Sequence, residues 1–219
     1  MATAAPQTFR IPLALLAAAN LAALGVILWP WPQALNLPVN GSAAIDPAVT
    51  LAIYVGLVFY ISSGLKETTK KALSIATILG LAAGVVLGVR AVLGVRVGVQ
   101  PGFLQPGLLV VAVILWGVAG LRGSKVGGSA GIGALAGIWS AIASGLLATA
   151  AILAELYFAG PTQASPDLWK QYEGLAIGNS ATQGMVHSLN AVTALLLVGP
   201  ITGAVVGMIF GFFGQSRKS

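Results

Sequence analysis

The chain has 219 residues, of which 57% are hydrophobic and 7% charged, and its mean hydropathy is +0.93. An ordinary soluble domain, with about a quarter of its residues charged, is therefore excluded. Cysteine is absent and the formal net charge is +6. Disulfide frameworks and thiolate metal sites are thereby ruled out, and no partner of nucleic acid is expected, because the cations flank apolar runs in short loops. A bilayer-crossing helix takes about 20 apolar residues, so about six spans nearly exhaust the length. The expected fold is all-α, a polytopic integral membrane protein with a single membrane domain over 1–219.

The first span is expected at 11–29, with Pro12 in the opening turn and Asn20 near the middle. A buried asparagine here is either a solute or ion ligand or an interhelical hydrogen bond. Trp29 and Trp31, interleaved with Pro30 and Pro32, end the run as an interfacial aromatic belt. The second span is placed at 48–65 and stops at a polar hairpin running from Lys66 to Lys71. The third, at 72–89, carries small residues every four positions: Ala72, Ala76, Gly80, Gly84 and Gly88. Arg90 and Arg96 follow it and are candidates for contact with lipid headgroups or with an acidic partner surface.

The fourth span is expected at 104–121, closed by Arg122 to Lys125. In the fifth, at 130–156, Gly133, Gly137, Ala141, Gly145 and Thr149 share one face. Ala136, Ser140, Ser144 and Ala148 form a second small row beside it. Two such rows put this helix at the centre of the bundle, packed on both sides. Ser165, Pro166 and Asp167 open a short amphipathic helix at 166–177, with Trp169 and Tyr172 as candidate contacts to lipid or a partner. The last span, at 186–213, repeats glycine every fourth residue at Gly199, Gly203, Gly207 and Gly211. Such a groove admits another helix at close range. Spans three, five and six are thus expected to build the core, with span three as the natural mate of span six.

Six spans leave both termini on one side. Arg10, Lys66, Lys70, Lys71, Arg122, Lys125, Arg217 and Lys218 fall there, against Arg90, Arg96 and Lys170 opposite. The bias places both termini in the cytoplasm, and the expected location is the inner (cytoplasmic) membrane of a bacterium.

Catalytic signatures are scarce. One histidine and scattered carboxylates make no metal-binding pattern, and Gly123-Ser124-Lys125 has the wrong order for a phosphate loop. An intramembrane serine hydrolase would need Ser144 beside His187, but their heights along their helices differ by far more than the ~3 Å of a proton transfer. A polar rim remains near the outer edge: Glu155, Gln183, His187 and Asn190. The pair Glu155 and His187 is expected to meet there. The chain is read as a non-enzymatic subunit of a homo-oligomer or larger membrane complex, in contact with membrane lipids and without cofactor. The alternative is a small-solute or ion transporter or channel.

Overall fold

The computed structural model describes residues 10–30, 45–63, 65–96, 103–160 and 180–215. Among them are six helices and no strand: α1 Arg10–Leu28, α2 Ile45–Ser63, α3 Glu67–Arg96, α4 Leu104–Gly127, α5 Ala130–Ala159 and α6 Ser180–Gly214. Five of these are long and apolar enough to cross a membrane. In the sixth, α2, the apolar stretch Ile45–Val58 is shorter. The interfacial helix expected at 166–177, with Trp169 and Tyr172, lies outside the described residues.

Most helices outrun the spans expected from hydropathy. The predicted polar hairpin at Lys66 to Lys71 is instead the first turn of α3, where Glu67 favours the positive helix end and pairs with Lys70 at 3.5 Å. Arg90 and Arg96 belong to the end of the same helix rather than to a loop after it. Likewise Arg122 and Lys125 lie within α4, which closes three residues later on Gly128. Gly128 adopts φ 76°, a left-handed conformation that glycine takes without penalty, and returns its N–H to the Ser124 carbonyl at 2.7 Å. Ser129 then caps α5, its hydroxyl accepting from the Ile132 N–H. Charge ends a hydrophobic window without ending a helix, since a charged side chain at the headgroup level keeps its backbone bonds and snorkels into water.

Helix α5 is the axis, with both of its small rows buried. Its Ser140 and Ser144 row receives α3: a Cβ on Gly80 would collide with the Ser140 carbonyl and lie 2.8 Å from the Ala143 Cβ. One on Gly84 would lie 2.8 Å from the Leu147 Cβ, and one on Gly88 3.0 Å from that of Ala151. Partners rise together along both chains, so α3 and α5 run parallel. The Gly133 and Gly137 row receives α6 in the opposite direction, with Gly211 beside Gly133 and Gly203 beside Gly137. The expected mating of spans three and six is therefore corrected: α3 and α6 each pack on α5, in neighbouring rows of its small residues. A helix with two small faces accepts two partners, and each ladder chose α5 over the other.

Helix α4, absent from the expected core, completes it. Gly120 abuts the Gly207 backbone, Gly123 faces the Ala136 Cβ, and Gly117 lies under the Phe210 ring. On the far side of the bundle α1 and α2 pack against each other, α1 against α5 and α2 against α6. Exposed aromatics mark helix ends, as membrane interfaces require. Trp29, Tyr60, Phe103, Phe158 and Phe213 are each at least 79% exposed, and all stand in or beside a terminal turn.

Candidate functional site: polar groups inside the bundle

Lipid offers no hydrogen bonds, so each polar group within the bundle must find its partner in protein. Two indoles do so across helix pairs. Trp139 on α5 donates Nε1–H to the Thr77 hydroxyl on α3 at 2.9 Å, and Thr77 passes its own proton to the Leu73 carbonyl at 2.9 Å. Trp116 on α4 donates to the Ser144 hydroxyl on α5 at 3.0 Å, and Ser144 donates to the Ala141 carbonyl at 2.9 Å. The two chains stitch α5 to both neighbours on its serine face.

Asn20, only 2% exposed, donates its amide N–H to the Leu146 carbonyl of α5 at 2.8 Å. That is the interhelical hydrogen bond, and it consumes a donor that a ligand would otherwise use. Tyr54 on α2 donates its hydroxyl to the Leu196 carbonyl of α6. The acceptor is a special one. Four residues on stands Pro200, inside the helix and without an N–H, so Leu196 lacks its helical donor. The phenol supplies what the proline removed. The signal was present in the sequence as a proline within a span and a tyrosine in another.

Two hydroxyls on α5, those of Ser140 and Thr149, are sealed from solvent with no hydrogen-bond partner among the described residues. In a helix such groups ordinarily return their proton to a carbonyl one turn back, as Thr77 and Thr193 do. Among the described residues these are the sealed hydroxyls left without an acceptor.

The residues of the expected outer rim fall on two helices, α5 and α6. His187 and Asn190 sit on the exterior stripe of α6 that also carries Leu197, Ile201 and Val205. Glu155 is half-buried on α5, with Oε1 sealed from solvent. The ion pair of Lys70 with Glu67 is on α3, apart from this rim. Gln183 lies in the first turn of α6. Counting 1.5 Å per residue from Phe212, Asn190 stands about 33 Å away, level with the opposite headgroups. Ser144 is engaged by Trp116 and the Ala141 carbonyl. Among the described residues, no group of three metal-ligating side chains converges.

Near the C-terminal end of α3, half-buried Arg90 donates its Nε–H to the Gln105 carbonyl of α4 at 3.2 Å, which ties the two helices together. Gly199 departs from the packing ladder assigned to it: nothing lies within 4 Å of a Cβ placed there, whereas Gly203, Gly207 and Gly211 all face α5 backbone. Gly145 makes ordinary van der Waals contact with Leu195 and Leu196. Comparison with protein-family models, curated proteins and solved structures returns no match.

Proposed function

We propose that the chain is a non-enzymatic, structural or accessory membrane protein, assembled with other membrane subunits or with copies of itself. The observation that carries this reading is the crossing of α4, α5 and α6. A Cβ on Gly133 would stand 3.0 Å from the carbonyls of both Gly120 and Gly207, and one on Gly207 would stand 2.7 Å from the Gly133 carbonyl. Three backbones meet there with no side chain between them. Main-chain contact over several turns fixes helix register and excludes a pathway along that axis, as suits a scaffold more than a conduit. Membrane lipids are its constant partners. The tethered Arg90 fits an anionic headgroup, since a guanidinium offers further donors in a phosphate-matching fork. The bias of lysine and arginine favours cytoplasmic termini and an inner-membrane location.

A small-solute or ion transporter is the second reading, favoured by the unpartnered hydroxyls of Ser140 and Thr149. Purification from native membranes in mild detergent, with mass analysis of co-purifying chains, separates the two. A defined stoichiometric assembly supports the subunit reading. A lone monomer that moves solute or ions across proteoliposome membranes overturns it.

A further inference from the structure

Helix α6 has two unlike halves. From Gly203 onward its packing is backbone on backbone: a Cβ on Gly203 would stand 2.6 Å from the Gly137 carbonyl, and one on Gly211 would lie 3.2 Å from the Gly133 Cα. No sliding or tilting is available at such distances without parting the helices. Before Gly199 the arm packs through side chains, with Met185, Leu189, Val192 and Leu196 buried. A Cβ on Gly145 of α5 would find ordinary contact, 3.4 Å from the Leu195 carbonyl and 3.6 Å from a Leu196 methyl. Between the halves stand Gly199 and Pro200. The first has open space around it, and the second removes one hydrogen bond from the helix ladder. Glycine beside proline is where membrane helices bend, and the freed carbonyl must be satisfied from outside the helix. Here Tyr54, 7% exposed and carried on another helix, satisfies it.

We propose that Gly199–Pro200 is a hinge in α6 which the Tyr54 hydroxyl latches shut. With the latch made, the Leu196 carbonyl is paired and α6 is continuous through 180–214. With the latch open, the arm 180–199 bends away from α5 and α2 while 201–214 stays locked at the glycine crossing. The freed carbonyl is then satisfied by a water molecule, since lipid offers no donor. The device stands apart from the subunit reading, since it concerns one half of one helix and leaves the crossing of α4, α5 and α6 in place.

The chain has no cysteine, so two can be introduced for spin labels without background. Ala194 and Phe212 are both exposed and lie on either side of the hinge, about 27 Å apart along a straight helix. The full chain carrying Ala194→Cys and Phe212→Cys, in lipid nanodiscs, is compared by pulsed electron resonance with the same chain carrying Tyr54→Phe, Pro200→Ala or both. The parent and Pro200→Ala should give one narrow distance, and Tyr54→Phe should add a shorter, broad population. In the double variant the narrow distance should return, because an alanine N–H at 200 refills the Leu196 carbonyl. Unchanged width in Tyr54→Phe overturns the latch, as does equal broadening in the Pro200→Ala background, which would mark lost α2 packing instead. Pro200→Ala also carries a test that does not depend on the folding of Tyr54→Phe. It should slow amide exchange across 197–203 at least about fivefold, the worth of one helical hydrogen bond. Exchange equal to the parent rejects the hinge.

Discussion

The main chain of Gly203 lies against the carbonyl of Gly137 so closely that a methyl group on either residue overlaps the backbone of the other. This contact between α5 and α6 carries the first prediction. Gly137→Ala and Gly203→Ala should each cost about 1–3 kcal/mol or more, since neither backbone can give way as a flexible side chain would. Gly25 and Gly56 have nothing within 4 Å. Alanine there should be neutral or stabilise by up to about 1 kcal/mol through helix propensity. Thermal unfolding of the four variants in one detergent checks the contrast, and equal losses at all four would refute the crossing.

The hydroxyls of α5 separate by what they hold. Ser144→Ala leaves the Trp116 indole without its acceptor and should cost about 1–2 kcal/mol. Thr149→Val keeps the shape and removes an unpartnered hydroxyl, so it should be neutral or stabilising. Ser140→Ala should behave like Thr149→Val. If Thr149→Val instead destabilises by more than about 1 kcal/mol, the hydroxyl has an acceptor such as a buried water, and the transport reading gains weight.

Much of this architecture was legible because lipid forces it. Spans of about 20 apolar residues, aromatic helix ends and the small rows of α5 each follow from a single local rule. Five of the six expected spans have that length in the structure, and the small rows are buried. Pairing is a different kind of information. The ladders of α3 and α6 have the same period, and nothing local to Gly84 or Gly207 says which groove each enters. The small face of α4 is less legible because Gly117, Gly120, Gly123 and Gly127 step by three, three and four, without a strict four-residue period. Gly199 was misassigned for the opposite reason: it keeps the period while serving the bend at Pro200.

Asn20 offers a cleaner view of the site question. Its amide joins α1 to the Leu146 carbonyl in the interior, so Asn20→Leu should remove an interhelical bond and cost about 0.6–1.7 kcal/mol. Asn20→Asp keeps the size but loses the donor and adds a buried charge, and it should be the costlier of the two. If Asn20→Leu is neutral in stability but abolishes uptake of some solute in proteoliposomes, the residue is a ligand rather than a fastener.

The turn between α4 and α5 gives a prediction on the backbone alone. Gly128 sits at φ 76° with open space around it, so Gly128→Ala pays only the left-handed conformation, about 1 kcal/mol. Ser129→Ala removes the cap that accepts from Ile132 and should also cost about 1 kcal/mol. The effects concern different groups and are expected to add; Gly128→Asn, which tolerates the left-handed region, should recover part of the loss. A failure of asparagine to recover any of it would show that something other than backbone conformation governs the turn.

Glu155 and His187 provide the last test, because they are expected to pair and stand on adjacent, packed helices with unequal burial. His187 projects from the outer stripe of α6 with Asn190, while Glu155 keeps one carboxylate oxygen sealed within α5's surroundings. His187→Ala should therefore lie within about 0.5 kcal/mol of the parent, as surface changes do. Glu155→Ala should cost more, since it empties a half-buried position. The double variant should equal the sum of the two within about 0.5 kcal/mol, as independent sites do. Thermal unfolding of all four chains in the same lipid closes that cycle. A coupling clearly above that limit would place the two side chains in contact and restore the outer rim as the site to probe for a proton or ligand.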